Sequence, residues 1–324
     1  MVNIEVLSQS LFNARVGVTL LPIMFIILAF TVFVTTFILF SLKLKNSRIF
    51  FVTLHLIVFV IHFLIFALIK IFNTKISIII FYVTSQTVST ILFTTIWLII
   101  QEVSDVESSK RLFPLASSGI TLGFVVSGLF LKNTTQLIGV ENTFLIGGFI
   151  IPATIYILNT LLKKHKVIYE TKVETTTKIG ETLNYIKNNN FYITVLIIGI
   201  IMPLIFFIND YLYNSMIKKS FIYEDKISSF FGLFYIVNGV ISLFIRLFFI
   251  SRIIIKLGVV RTTYLLILLF LSGILLMFSN SLISIFISKL LISIGLLTFG
   301  VSLFNLFYQV ADLKYRSRVI VILE

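Results

Sequence analysis

Runs of about 20 consecutive apolar residues, repeated along the chain, constrain this sequence more than any other feature. They lie at roughly 20–42, 49–71, 77–100, 114–131, 143–162, 191–213, 228–250, 259–279 and 282–311. Each is long enough to cross a bilayer as a helix, and too long and continuous for a transmembrane β-strand. The last is long enough to hold a break or an interfacial turn. Charged residues are only 12% of the chain and mean hydropathy is +1.11, whereas a soluble domain carries about a quarter charged residues. The reading is an all-α polytopic membrane protein of about nine transmembrane helices, whose first partner is the lipid bilayer.

The net charge of +13 then has a specific cause. Of the 26 Lys and Arg, 17 fall in the connections at 43–48, 110–111, 163–187 and 252–261 and in the tail at 314–318. The alternate connections and the N-terminal lead hold 7. By the positive-inside rule the first set is cytoplasmic, the N-terminus outside and the C-terminus inside, as in a multi-pass protein of the cell (inner) membrane. The basic excess therefore needs no nucleic-acid partner. No basic start precedes a short apolar core, so no cleavable signal peptide is expected. The expected organisation is a short external lead at 1–19, a first helical bundle at 20–163, a cytoplasmic linker at 164–190 and a second, incomplete bundle at 191–324. Glu174 and Glu181 of the linker fit either a short amphipathic surface helix or a solvated connection.

Soluble enzyme chemistry finds no footing. There is no G-x-x-x-x-G-K-[ST], no H-E-x-x-H and no G-x-S-x-G. With no cysteine and only three histidines, His55, His62 and His165, no metal site is expected. The informative stretch is Trp97–Leu115, W-L-I-I-Q-E-V-S-D-V-E-S-S-K-R-L-F-P-L. Glu102 closes one apolar helix, and Asp105 and Glu107 occupy a turn. Lys110 and Arg111 lead into the next helix, with Pro114 in its first turn, where a missing N–H costs little.

This stretch resembles the ATP/ADP antiporter family and its bacterial nucleotide-transporter relatives in the major facilitator superfamily, at Trp97, Glu102, Lys110, Arg111, Phe113, Pro114 and Leu115. It departs at Gln101 and at Ser108–Ser109. Ser118-Gly119, Gly123 and Gly128 resemble the glycine-rich helix that follows. Asp210-Tyr211, Phe230–Phe234 and Leu247–Arg261 resemble landmarks of the second half, so the likeness covers about residues 10–320. It implies two bundles joined by a cytoplasmic linker, and exchange or symport of nucleotides without a cofactor. Twelve spans would be usual, so this chain would lack the first and the final two. Where the family tends to carry Lys, this chain has Asn214, and its tenth-span equivalent keeps only Lys289, Thr298, Asn305 and several serines. A second reading, from another class, is a membrane scaffold or sensor that kept the fold without transporting.

Ionisable groups at membrane depth usually face a cavity or a partner. The substrate-path candidates are Glu102, Lys110, Arg111, Asp210, Asn214, Arg246, Lys289 and Asn305. Each has a plainer reading. Glu102 fits an ion pair with Lys110 or Arg111, and Asp210 an interfacial position. Arg246, in F-I-R-L-F-F, stands about one and a half turns from Arg252, and this geometry favours snorkelling over anion binding. Lys289 has the same ambiguity near the outer face. His55 and His62 share a helix face, where interhelical hydrogen bonding is favoured over a proton relay. Asn238, Asn305 and Gln309 fit polar packing better than a path. Gly119, Gly123 and Ser127 form a small-residue stripe that permits close helix approach.

Overall fold

Lipid offers no hydrogen-bond partners, so apolar segments of this length must satisfy their backbone internally. The computed structural model describes residues 2–41, 47–102, 106–164, 179–279, 281–312, 315 and 319. Every element among them is helical. The α-helices are α1 Val2–Leu11, α2 Leu21–Ser41, α3 Ser47–Phe72, α4 Lys75–Glu102, α5 Val106–Ile138, α6 Val140–Gly148 and α7 Ile150–Lys164. They continue with α8 Ile179–Lys187, α9 Asn190–Ser220, α10 Glu224–Ile245, α11 Ser251–Met277, α12 Leu282–Ser293 and α13 Val301–Gln309. Three π-helical segments, Phe12–Val16, Arg246–Ile250 and Ile294–Gly300, join successive helices.

Among the described residues, eight stretches are long and apolar enough to cross a membrane: Val18–Ile38, Phe50–Phe72, Lys75–Trp97, Leu115–Ile138, Val140–Ile157, Asn190–Ser220, Glu224–Met277 and Leu282–Gln309. The chain is an all-α, multi-pass membrane protein. Two of the nine expected runs, 228–250 and 259–279, merge in the 54-residue stretch Glu224–Met277. They are separated at Gly258, whose φ of 79° and ψ of 167° leave the helical region. A side chain would be strained there, and glycine is not. The last expected run contains no break; a π-helical segment takes its place.

Helix α2 shows what the bilayer does to a surface. Ile23, Ile26, Phe30, Phe33 and Phe37 recur every three or four residues and are each more than half exposed. Such spacing makes one continuous apolar face. In water that face would be an aggregation site; against acyl chains it is the ordinary outer wall of a span.

The chain divides into two compact units, each discontinuous in sequence. The first comprises Met1–Leu98, Gly123–Tyr169 and Asn214–Val237. Here α1 packs on α6, and α3 on α6 and α7. The lead is a helix with its Val6, Leu7, Leu11 and Phe12 fully buried, and Phe12 lies against Tyr82. Helices α5 and α10 meet at Gly128 and Gly232. A Cβ on Gly128 would sit 2.6 Å from the Gly232 carbonyl oxygen, so only glycine permits this approach. The stripe expected to serve this purpose does not: a Cβ on Gly119 or Gly123 meets nothing within 4 Å.

The second unit comprises Ile99–Leu122, Glu170–Tyr213 and Asn238–Glu324. Its main contact is α11 on α12, where Gly273 accommodates Ile292. Part of the expected linker belongs to this unit as α8, which contains Glu181; Glu174 lies outside the described residues. Ile186 of α8 packs with Tyr192, Ala311 and Val319.

Candidate functional site

The acidic–basic stretch keeps its helix–turn–helix outline but shifts its boundary. Helix α4 ends at Glu102, as expected. Helix α5 begins at Val106, so Glu107 is helical and Pro114 lies about two turns inside rather than in the first turn. Asp105 lies outside the described residues, as do the side chains of Glu102, Lys110 and Arg111. The expected pairing of Glu102 with Lys110 or Arg111 falls there too. Trp97 and Phe113 are buried.

Arg246 opens a π-helical segment in the second unit. It does not snorkel: the residue is only 2% exposed. Its Nη1 donates to the Ser117 carbonyl of α5, and its Nη2 to the Leu297 carbonyl. Leu297 lies within a second π-helical segment. The link between the two segments is physical. A π turn pairs N–H with the carbonyl five residues back, so the α register slips and a carbonyl is left turned away from its own helix. A guanidinium can satisfy such carbonyls, which would otherwise be buried unpaired. Distance along the chain from Arg252 misled the sequence reading, because burial is set by what packs around α10. The Arg246 Nε has no partner, and among the described residues no carboxylate pairs with this cation. Among the described residues, its partners are carbonyl oxygens.

Asp210 and Lys289, expected as two separate interfacial residues, form one ion pair. The Lys289 Nζ stands 2.6 Å from the Asp210 Oδ1, with side chains 6% and 13% exposed. The ammonium lies 3.9 Å from the centre of the Phe206 ring and 6.0 Å from that of Tyr213. The neighbouring residues repeat the pairing: Asn209 Nδ2 donates to Ser288 Oγ at 2.8 Å, and Ser288 Oγ donates to the Gly273 carbonyl at 2.7 Å. Consecutive residues of α9 thus grip consecutive residues of α12. Lys289 and Leu297 are about two turns apart on the same run of helix. The second unit therefore gathers two buried cations, one balanced by a carboxylate and one not.

The other candidates have plainer settings. Asn214 is fully buried in the first unit, where its Oδ1 accepts a 2.5 Å hydrogen bond from Asn13 Nδ2. Asn305 Nδ2 donates to the Val301 carbonyl of its own helix, which is the packing role expected. Asn238 accepts from Ser242 Oγ at 3.3 Å. His62 contacts the Phe144 carbonyl at 2.9 Å and stacks on the Phe144 ring, joining α3 to α6, while His55 contacts the Phe51 carbonyl of its own helix. Among the described residues no cluster of three His, Cys, Asp or Glu could hold a metal.

A charge network in the first unit was not foreseen. Arg15 binds both Glu224 oxygens at 2.8 Å and reaches Glu141 at 2.9 Å and Asn73 Oδ1 at 2.6 Å. The second Glu141 oxygen meets Lys70 at 2.8 Å. Hydrogen bonding to Glu224 pushes the Arg15 guanidinium above its ordinary value, against the opposing effect of burial. Each of these residues stands beside a helix end in a connection with the same expected sidedness. That shared sidedness is the one signal in the sequence that could have grouped them.

Comparison with protein-family models, with curated proteins and with solved structures finds no match to this chain.

Proposed function

We propose that this protein is a secondary transporter of an anionic solute, with nucleotides as the first class to test. In this reading it resides in the cell membrane with its N-terminus outside and its C-terminus cytoplasmic, moves its bundles about a midplane site, and needs no cofactor. The observation that carries the proposal is Arg246. A buried guanidinium that meets carbonyl oxygens and, among the described residues, no carboxylate is expensive in a membrane segment, and such residues mark solute paths by default. An anion supplies the missing counter-charge, and a phosphate or carboxylate matches the guanidinium geometry. The Trp97–Leu115 resemblance adds the nucleotide.

The test is uptake of labelled ATP into proteoliposomes preloaded with ADP or with buffer, using purified protein and the Arg246→Gln and Arg246→Lys variants. The expected result is saturable uptake stimulated by internal ADP, lost in Arg246→Gln and reduced at least tenfold in Arg246→Lys, in which the planar fork is absent. Absence of uptake by protein shown to be folded would sink the nucleotide reading and move the scaffold or sensor reading ahead of it.

A further inference from the structure

The Arg15 network joins segments that are far apart in sequence but belong to one compact unit. Arg15 precedes the first span, while Lys70 ends α3, Glu141 begins α6 and Glu224 begins α10. Further contacts tie the segment Asn214–Val237 to the chain between α1 and α2 and to α5. Asn13 donates to Asn214, the Lys218 Nζ donates to the Ala14 carbonyl at 3.3 Å, and Gln136 Nε2 donates to Ser229 Oγ at 3.0 Å. Beneath them Gly128 and Gly232 touch backbone to backbone.

We infer that Arg15 is the pin of a breakable charge latch, holding the start of α10 against the α1–α2 junction and the start of α6 and keeping this end of the first unit shut. Three features point to a device that opens and not to a permanent rivet. First, the charged side chains are 18% to 43% exposed, so water can take over each hydrogen bond as it breaks. Second, the pin is shared. Arg15 holds two carboxylates at once, and Glu141 keeps Lys70 as a second partner, so Glu224 can leave without stranding a charge. Third, Asn13 and Arg15 ride on a π-helical turn that ends at Gly17, whose φ of 109° is a joint favoured by glycine. The inference rests on the transport reading for its purpose, since a path through the membrane needs an end that closes. Its test needs no substrate.

The chain has no cysteine, so a single introduced thiol reports without background. Ser228, one turn into α10 beyond Glu224, is fully buried. In protein carrying Ser228→Cys, labelling by a bulky water-soluble maleimide is expected to be slow at physiological salt. Adding Arg15→Gln is expected to speed it about tenfold, a change of about 1.4 kcal/mol in opening. The variant Arg15→Lys keeps a positive charge facing Glu224 and Glu141 and is expected to keep labelling slow. Equal rates with and without Arg15→Gln would overturn the latch. So would fast labelling in both Arg15→Gln and Arg15→Lys, which would mean that substitution at this position damages the fold and does not release a charge contact. Failure of nucleotide uptake leaves the labelling result unaffected, so the two readings fall separately.

Discussion

Two ion-pair systems in this protein have opposite designs. Asp210–Lys289 joins α9 to α12, walled by Phe206 and Tyr213 and nearly sealed from solvent. The Arg15 system spreads two cations and two carboxylates over four helix ends and keeps each partly wet. The difference teaches what each can do. A sealed pair cannot be exchanged for water, so either partner alone is left with its full desolvation cost. A wet network loses little when one contact breaks, because the solvent and the remaining charges take its place. Permanence and mobility are thus set by exposure and by the number of partners, not by ion-pair distances, which are 2.6 Å in one system and 2.8–2.9 Å in the other.

The sharpest break of this contrast is Asp210→Asn or Lys289→Met. Each strands a buried charge and is expected to cost about 3–5 kcal/mol, read as thermal or denaturant unfolding in detergent. The double variant should recover most of that loss, because no unpaired charge is then left buried. Recovery of less than half would assign the loss to packing and not to charge. Next in size is Gly128→Val, which asks whether packing as well as charge holds the Arg15 end. Overpacking against the Gly232 backbone should cost about 1–3 kcal/mol, while Gly119→Ala, with open space around its Cβ, serves as the tolerated control. The smallest effect belongs to Glu224→Gln. Its stability cost should stay under about 1 kcal/mol and disappear near 1 M salt, where the Debye length is about 3 Å. A larger, salt-insensitive loss at Glu224 would erase the distinction between the two systems.

The spans were legible because hydrocarbon thickness imposes a length on them, and the apolar runs carry that length directly. What the spans hold inside was much less so. Arg246 looked like a snorkelling residue by its distance from Arg252, but a π-helical segment and the carbonyls of Ser117 and Leu297 decide its environment, and neither leaves a mark in composition. Asp210 and Lys289 were both singled out, yet their pairing depends on how α9 lies on α12. Nothing in a sequence separated by 79 positions encodes that register. The glycine-rich helix was recognised, but the close approach uses Gly128, one residue past Ser127 and so off the line of the stripe, because its partner on α10 is another glycine. Arg15, Lys70, Glu141 and Glu224 were not grouped, since a network of four helix ends has no local spacing to announce it.

The guanidinium of Arg246 is held by two main-chain oxygens, and this changes what sequence variation can do to it. Any residue at 117 or 297 offers the same carbonyl, so neither position is bound to a particular side chain by this contact. What must be kept is the winding of Ile294–Gly300, which carries the Leu297 oxygen that Arg246 contacts. Removing a single residue there would return the turn to ordinary α geometry and rotate that oxygen away by about 100°. The locus is therefore guarded by chain length more than by residue identity, and inheritance would tolerate substitution there far more readily than a one-residue deletion.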